Sequence, residues 1–118
     1  MHKERILDLA DFIENEVTDE QFHMEEWACS TAACIGGWCE ARQMGVKPGD
    51  FLDELDFRAV PETAMSYLGL NLEQENDLFF PHFNVANYQA VKGEPGYISR
   101  TRAVATLRRL AETGEVAW

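Results

Sequence analysis

The chain has 118 residues, 46% of them hydrophobic and 26% charged. That is enough for one domain, residues 1–118, with an apolar core that needs neither disulfides nor metal, and too apolar for disorder. The formal net charge of −11 disfavours direct binding to nucleic acid, because affinity for a phosphate backbone comes from Lys and Arg.

In chain order, residues 2–17 read as an amphipathic helix with Ile6, Leu9, Ala10, Ile13 and Val17 inward and Lys3, Glu4, Asp8, Asp11 and Glu14 outward. Thr18-Asp19-Glu20 ends or caps it, and Phe22-His23-Met24 alternates like a short extended segment leading to Trp27. Such a charged amino-terminal helix is no signal peptide, and no apolar run approaches the length of a membrane span. The expectation is a cytoplasmic protein without membrane contact, whose three cysteines are reduced thiols.

The segment from Trp27 to Cys39, W-A-C-S-T-A-A-C-I-G-G-W-C, holds all three cysteines and two of the three tryptophans. Ser30 or Thr31 would cap a helix running from Thr31 to Met44, closed by Gly45 in the left-handed conformation. Cys34, Ile35, Trp38 and Cys39 then share a core-facing side, while Ala33, Gly37 and Ala41 form an adjoining ridge almost free of side chains. Two glycines within a helix cost about 1 kcal/mol each relative to alanine. Close packing of a neighbouring helix against that ridge would offset the loss.

After Gly45 comes a loop with one helical turn, carrying Phe51, Leu52, Leu55 and Phe57 among acids. Left exposed, those four side chains would make a patch for a protein partner. Pro61 opens a helix with Ala64, Met65 and Leu68 inside, and Gly69 stops it. Asn71 and Gln74 form the capping box of a further short helix, Leu72 to Phe80. From Pro81 to Tyr97 no periodicity survives, and this irregular loop brings His82, Asn84 and Tyr88 as candidate binding residues. The last helix, Ser99 to Thr113, buries Ala103, Val104, Leu107, Leu110 and Ala111. It exposes Arg100, Arg102, Arg108 and Arg109 as a face paired with acids of the first helix, and Val116 and Trp118 fold back on the core. The result is an all-α domain of about five helices around a central Gly-containing helix, 31–44.

Phe22-His23-Met24, the run Cys29-Ser30-Thr31-Ala32-Ala33-Cys34-Ile35-Gly36-Gly37-Trp38 and the closing Thr113-Gly114-Glu115-Val116-Ala117-Trp118 together resemble a family of small uncharacterised bacterial and phage-borne proteins. Its members commonly read C-G-T-x-A-C-I-x-G-W; here Ser30 replaces the usual glycine and Cys39 is additional. The resemblance implies a shared helical fold, and it carries over no catalytic residue.

Three chemistries compete at the cysteines. Cys29, ahead of a helix start, could be a nucleophile with His23 or His82 as base and Asn84 as orienting group. His23, Cys29, Cys34 and Cys39 have the atoms for tetrahedral zinc but not the usual spacing. A Cys29–Cys34 bridge and an anion site on the backbone N–H groups of 29–32 are further options. Against these stands interior filling, the usual role of buried cysteines. No constellation is coherent enough for catalysis, and none calls for a cofactor. The charge is uneven: residues 1–91 hold 18 acids and 5 bases, net −13, and residues 92–118 hold 3 acids and 5 bases, net +2. The leading expectation is therefore a non-enzymatic acidic module for a protein partner with a basic surface, for instance an inhibitor of a nucleic-acid-binding protein. Solubility alone is the plainer account of the same charge.

Overall fold

The amino-terminal apolar stripe forms helix α1 (Lys3–Glu16), in which Ile6, Leu9, Ala10 and Ile13 are buried, with Val17 buried just beyond it. Phe12 is buried as well and widens the inward face beyond the expected stripe. The computed structural model describes residues 1–24, 34–45, 61–81, 85, 88–89 and 93–118. The other helices described are α2 (Ile35–Met44), α3 (Pro61–Leu68), α4 (Leu72–Phe79) and α5 (Arg100–Thr113), with a 3₁₀ turn at Asp19–Gln21. There is no strand among the described residues, and the Cα radius of gyration of 12.9 Å is that of a compact chain of this length. The fold is all-α.

The most extensive pairing is α1 with α5, while α2 touches α1, α3 and α4. α5 supplies its buried face as expected, from Ala103, Val104, Leu107, Leu110 and Ala111. Its ends follow local chemistry: the Ser99 hydroxyl accepts from the Arg102 N–H at 3.1 Å, and Gly114, at φ +78°, donates its N–H to the Leu110 carbonyl at 2.8 Å.

Helix α2 starts later than its capping residues predict. Cys34 is the N-cap, with extended backbone (φ −84°, ψ −175°), and the first helical residue is Ile35 in place of Thr31. Ser30 and Thr31 are better caps by side-chain chemistry, but Ile35, Trp38 and Cys39 are fully buried, and core packing contributes more to a short helix than a cap does. Gly45 closes α2 in the left-handed region, φ +74°, as expected. Gly36, Gly37 and Ala41 are buried, so the side-chain-poor part of the ridge that is described faces the interior; Ala33 lies outside the described residues.

Among the described residues, Trp38 is the largest fully buried side chain. Its indole Nε1 donates to the Gln21 carbonyl at 3.1 Å, and its ring meets Phe12 edge-on at 6.0 Å. The 3₁₀ turn is thereby fastened to α2. It is closed locally by the Thr18 N–H, which donates to the Gln21 side chain at 2.9 Å.

The corner between α3 and α4 is a tight point. Asn71 and Gln74 form the reciprocal capping box, 2.8 and 2.9 Å, and Phe80 is the C-cap of α4, one residue past its end. Gly69 sits at φ +70°, and a Cβ there would lie 2.8 Å from the His2 ring and 3.0 Å from its backbone nitrogen. Glycine is required twice over, by the backbone conformation and by the approach of the amino-terminal chain, whose His2 N–H donates to the Leu68 carbonyl at 2.8 Å. On the other side Gln74 donates to the Gly114 carbonyl at 2.8 Å, and the Trp118 indole donates to the Asp77 carbonyl at 2.6 Å. Val116 and Trp118 pack against the core, as their apolar character predicts.

Candidate functional site

Of the side chains singled out for chemistry, Cys29, His82 and Asn84 lie outside the described residues, as do Phe51, Leu52, Leu55 and Phe57. Those within them take interior or supporting places. Cys34 and Cys39 are buried, and the Cys29 end of a Cys29–Cys34 bridge lies outside the described residues. Cys39 is fully buried on α2, and burial pushes its thiol up to about 12, against the weaker opposing effect of the Gln43 amide 3.6 Å from its sulfur. A thiol held there supplies no thiolate at neutral pH. Cys34 occupies the N-cap, and its carbonyl accepts the Trp38 N–H at 2.9 Å.

Since α2 begins at Ile35, its unbonded N–H groups lie well past Cys29. Cys29 and the anion site expected at 29–32 themselves lie outside the described residues. Among the described residues, no three His, Cys, Asp or Glu side chains are grouped to hold a metal ion. His23 is half-buried and stands edge-on to Tyr97 with ring centroids 6.1 Å apart. Tyr88 is half-buried against the core, its N–H donating to the Val85 carbonyl at 3.3 Å.

Two clefts flank α5. The first, of about 400 Å³, opens between the 3₁₀ turn and the start of α5, with Asp19, Glu94, Tyr97, Ser99 and Arg100 in its wall. Burial, and secondarily the Asp19 carboxylate, raise the Tyr97 phenol above its ordinary value. Arg100 was expected to be solvated; its side chain is only 21% exposed. Its Nε donates to Asp19 at 2.9 Å, and its Nη1 donates to the Ile13 and Glu14 carbonyls at 3.3 and 2.8 Å. This guanidinium is committed to the carboxyl end of α1.

The second cleft, of about 600 Å³, runs along α5 beside the carboxy-terminal tail and is lined by Arg102, Ala105, Arg108, Arg109 and Trp118 among others. Arg108 is again committed to α1: Nη1 and Nη2 grip the Glu14 carboxylate at 2.8 and 3.0 Å, and Nη2 reaches Asp11 at 2.9 Å. This fork is the pairing with first-helix acids that the sequence predicts. Arg42 of α2 completes the set, bound through two nitrogens to Asp8 at 3.0 and 3.1 Å, with its guanidinium 5.1 Å from the centre of the Phe12 ring.

The Glu14 pair has a pH signature. The Arg108 hydrogen bond holds the Glu14 carboxyl below its ordinary 4.5. A carboxylate favoured by the fold stabilises it above the unfolded value, and the contribution is lost as pH falls through the lower folded value. Arg108→Gln should therefore lower the thermal midpoint at neutral pH, and the gap from wild type should close once Glu14 is protonated. Melting curves of both proteins across an acid titration measure it.

No family model, curated protein or solved structure matches the chain.

Proposed function

We propose that this domain is a binding module that presents an acidic surface to a protein partner with a basic face and performs no chemistry itself. The observation that carries the reading is charge placement. Arg42, Arg100 and Arg108, three of the chain's ten basic residues, are turned back onto Asp8, Asp19, Asp11 and Glu14. What remains for the surroundings is a strong acid excess, with Glu4, Glu16, Glu20, Glu73 and Asp77 among the residues outside those pairs. Such a field accelerates encounter with a basic protein and repels nucleic acid. The fully buried Cys39, with its raised thiol, supports interior filling over thiol chemistry at that position. The more specific version, suggested by the resemblance of the cysteine motif, is a phage-borne inhibitor that occupies the basic groove of a host nucleic-acid-binding protein.

The test uses the tagged domain as bait in native lysate, followed by affinity measurements on what it retains. A partner of high isoelectric point is expected, bound with an affinity that falls as salt rises and displaced by nucleic acid. A bait that recovers only itself and sediments as a monomer removes the reading, as does a partner whose affinity ignores salt.

A further inference from the structure

In a chain with 21 acids and 10 bases, arginines are expected to find carboxylates, and Arg42, Arg100 and Arg108 do. Arg102 and Arg109 do not: among the described residues neither guanidinium makes an ion pair or a hydrogen bond, though both line the same cleft along α5. They are seven residues apart on one helix, so their Cα atoms are separated by about 10 Å along the axis and lie within roughly 20° of the same line. Between them the cleft presents exposed Ala105 and the partly exposed Trp118. The Trp118 ring is held in place because its Nε1 donates to the Asp77 carbonyl at 2.6 Å. Ala105 and Trp118 thus make an apolar floor with an unpaired cation towards each end, beside the Arg108–Glu14 pair and Glu112.

We infer that this cleft binds an extended acidic peptide segment whose carboxylates, three residues apart, pair with Arg102 and Arg109 while an apolar side chain between them covers Trp118. The spacing selects the occupant. A polyproline-II-like strand repeats its face every three residues, about 9 Å along its axis, which matches the two arginines. A single phosphate or carboxylate reaches one guanidinium and leaves the other unsatisfied. A long polyanion meets the −11 field of the whole chain. A short segment feels mainly the cleft itself, where Arg102, Arg108 and Arg109 stand against Glu14 and Glu112, because charges farther than about 8 Å are screened at physiological ionic strength. The cleft is separate from the acidic surface assigned above, and either can stand without the other.

The probe is a fluorescein-labelled peptide of three Glu-Pro-Leu repeats, read by anisotropy, with the same peptide carrying glutamine for glutamate as the control. Saturable binding of the glutamate peptide is expected, with little binding of the glutamine one and a loss of at least about tenfold for the Arg102→Gln, Arg109→Gln double variant. The variant should fold, because neither guanidinium is bonded within the described fold and glutamine matches arginine in helix propensity; circular dichroism checks this. The inference is overturned by equal binding to the double variant or of the glutamine peptide, or by no binding up to about 1 mM protein. It also falls if inorganic phosphate competes as well as the peptide, which would mark a simple anion site. It falls equally if sedimentation shows wild-type oligomers that the double variant dissolves, since a second copy of this chain would then be the occupant.

Discussion

Trp38→Ala is expected to destabilise the fold by about 3–5 kcal/mol, the range for deleting a large aromatic from a core. Against a total stability of about 5–15 kcal/mol for a domain, this is the largest single-residue effect the structure predicts. The side chain is fully buried in α2 and leaves a cavity between Phe12 and the 3₁₀ turn. Its removal also leaves the Gln21 carbonyl without its indole donor, an unsatisfied group that costs about 1–3 kcal/mol where water cannot replace the bond. Trp38→Phe separates the two contributions, since it keeps an aromatic ring against Phe12 and loses only the donor. Thermal unfolding followed by circular dichroism should place Trp38→Ala roughly 12–20 °C below wild type, at about 4 °C per kcal/mol for a chain of this size. Trp38→Phe should fall between them. An alanine variant that melts with wild type would mean that α2 is not the centre of the core.

What could be read from the residues alone is what depends on near neighbours. The stripe Ile6, Leu9, Ala10, Ile13 has helical period and is buried. The Asn71–Gln74 box and the stops at Gly45 and Gly114 are set within a few residues, and each forms where the pattern places it. The start of α2 was not legible, because Ser30 and Thr31 look like caps while the boundary is decided by the burial of Ile35 and Trp38 against helices distant in sequence. The arginines of α5 show the same division. Their common face follows from spacing, but which of them meet acids depends on how α1 lies along α5. Arg100 and Arg108 reach it and Arg102 and Arg109 do not, so the cleft along α5 follows from tertiary contacts alone. Cys39 could be placed in the interior from its offset to Trp38, whereas its raised thiol follows from complete burial.

Arg100→Ala is the second large effect expected, a loss of about 2 kcal/mol, in the range for hydrogen bonds to a charged group. A helix ends with carbonyls that have no partner inside it and with the negative end of its backbone dipoles. At α1 no basic residue stands in the last turn, and Arg100, 86 residues away from Glu14, supplies the cation. Its Nη1 donates to the Ile13 and Glu14 carbonyls and its Nε donates to Asp19, so one side chain joins α1, the 3₁₀ turn and the start of α5. With its side chain only 21% exposed, water replaces those bonds poorly. An exposed ion pair such as Arg42–Asp8, by contrast, contributes about 0–1 kcal/mol. Asp19→Asn should cost less than Arg100→Ala, since it leaves both carbonyl bonds in place. Arg109→Ala, with no partner among the described residues, should stay within about 0.5 kcal/mol of wild type. Urea unfolding of the three variants gives the order directly. If Arg100→Ala costs no more than Arg109→Ala, the guanidinium is not what closes α1, and the cleft beside Tyr97 would have to be read as holding an available cation.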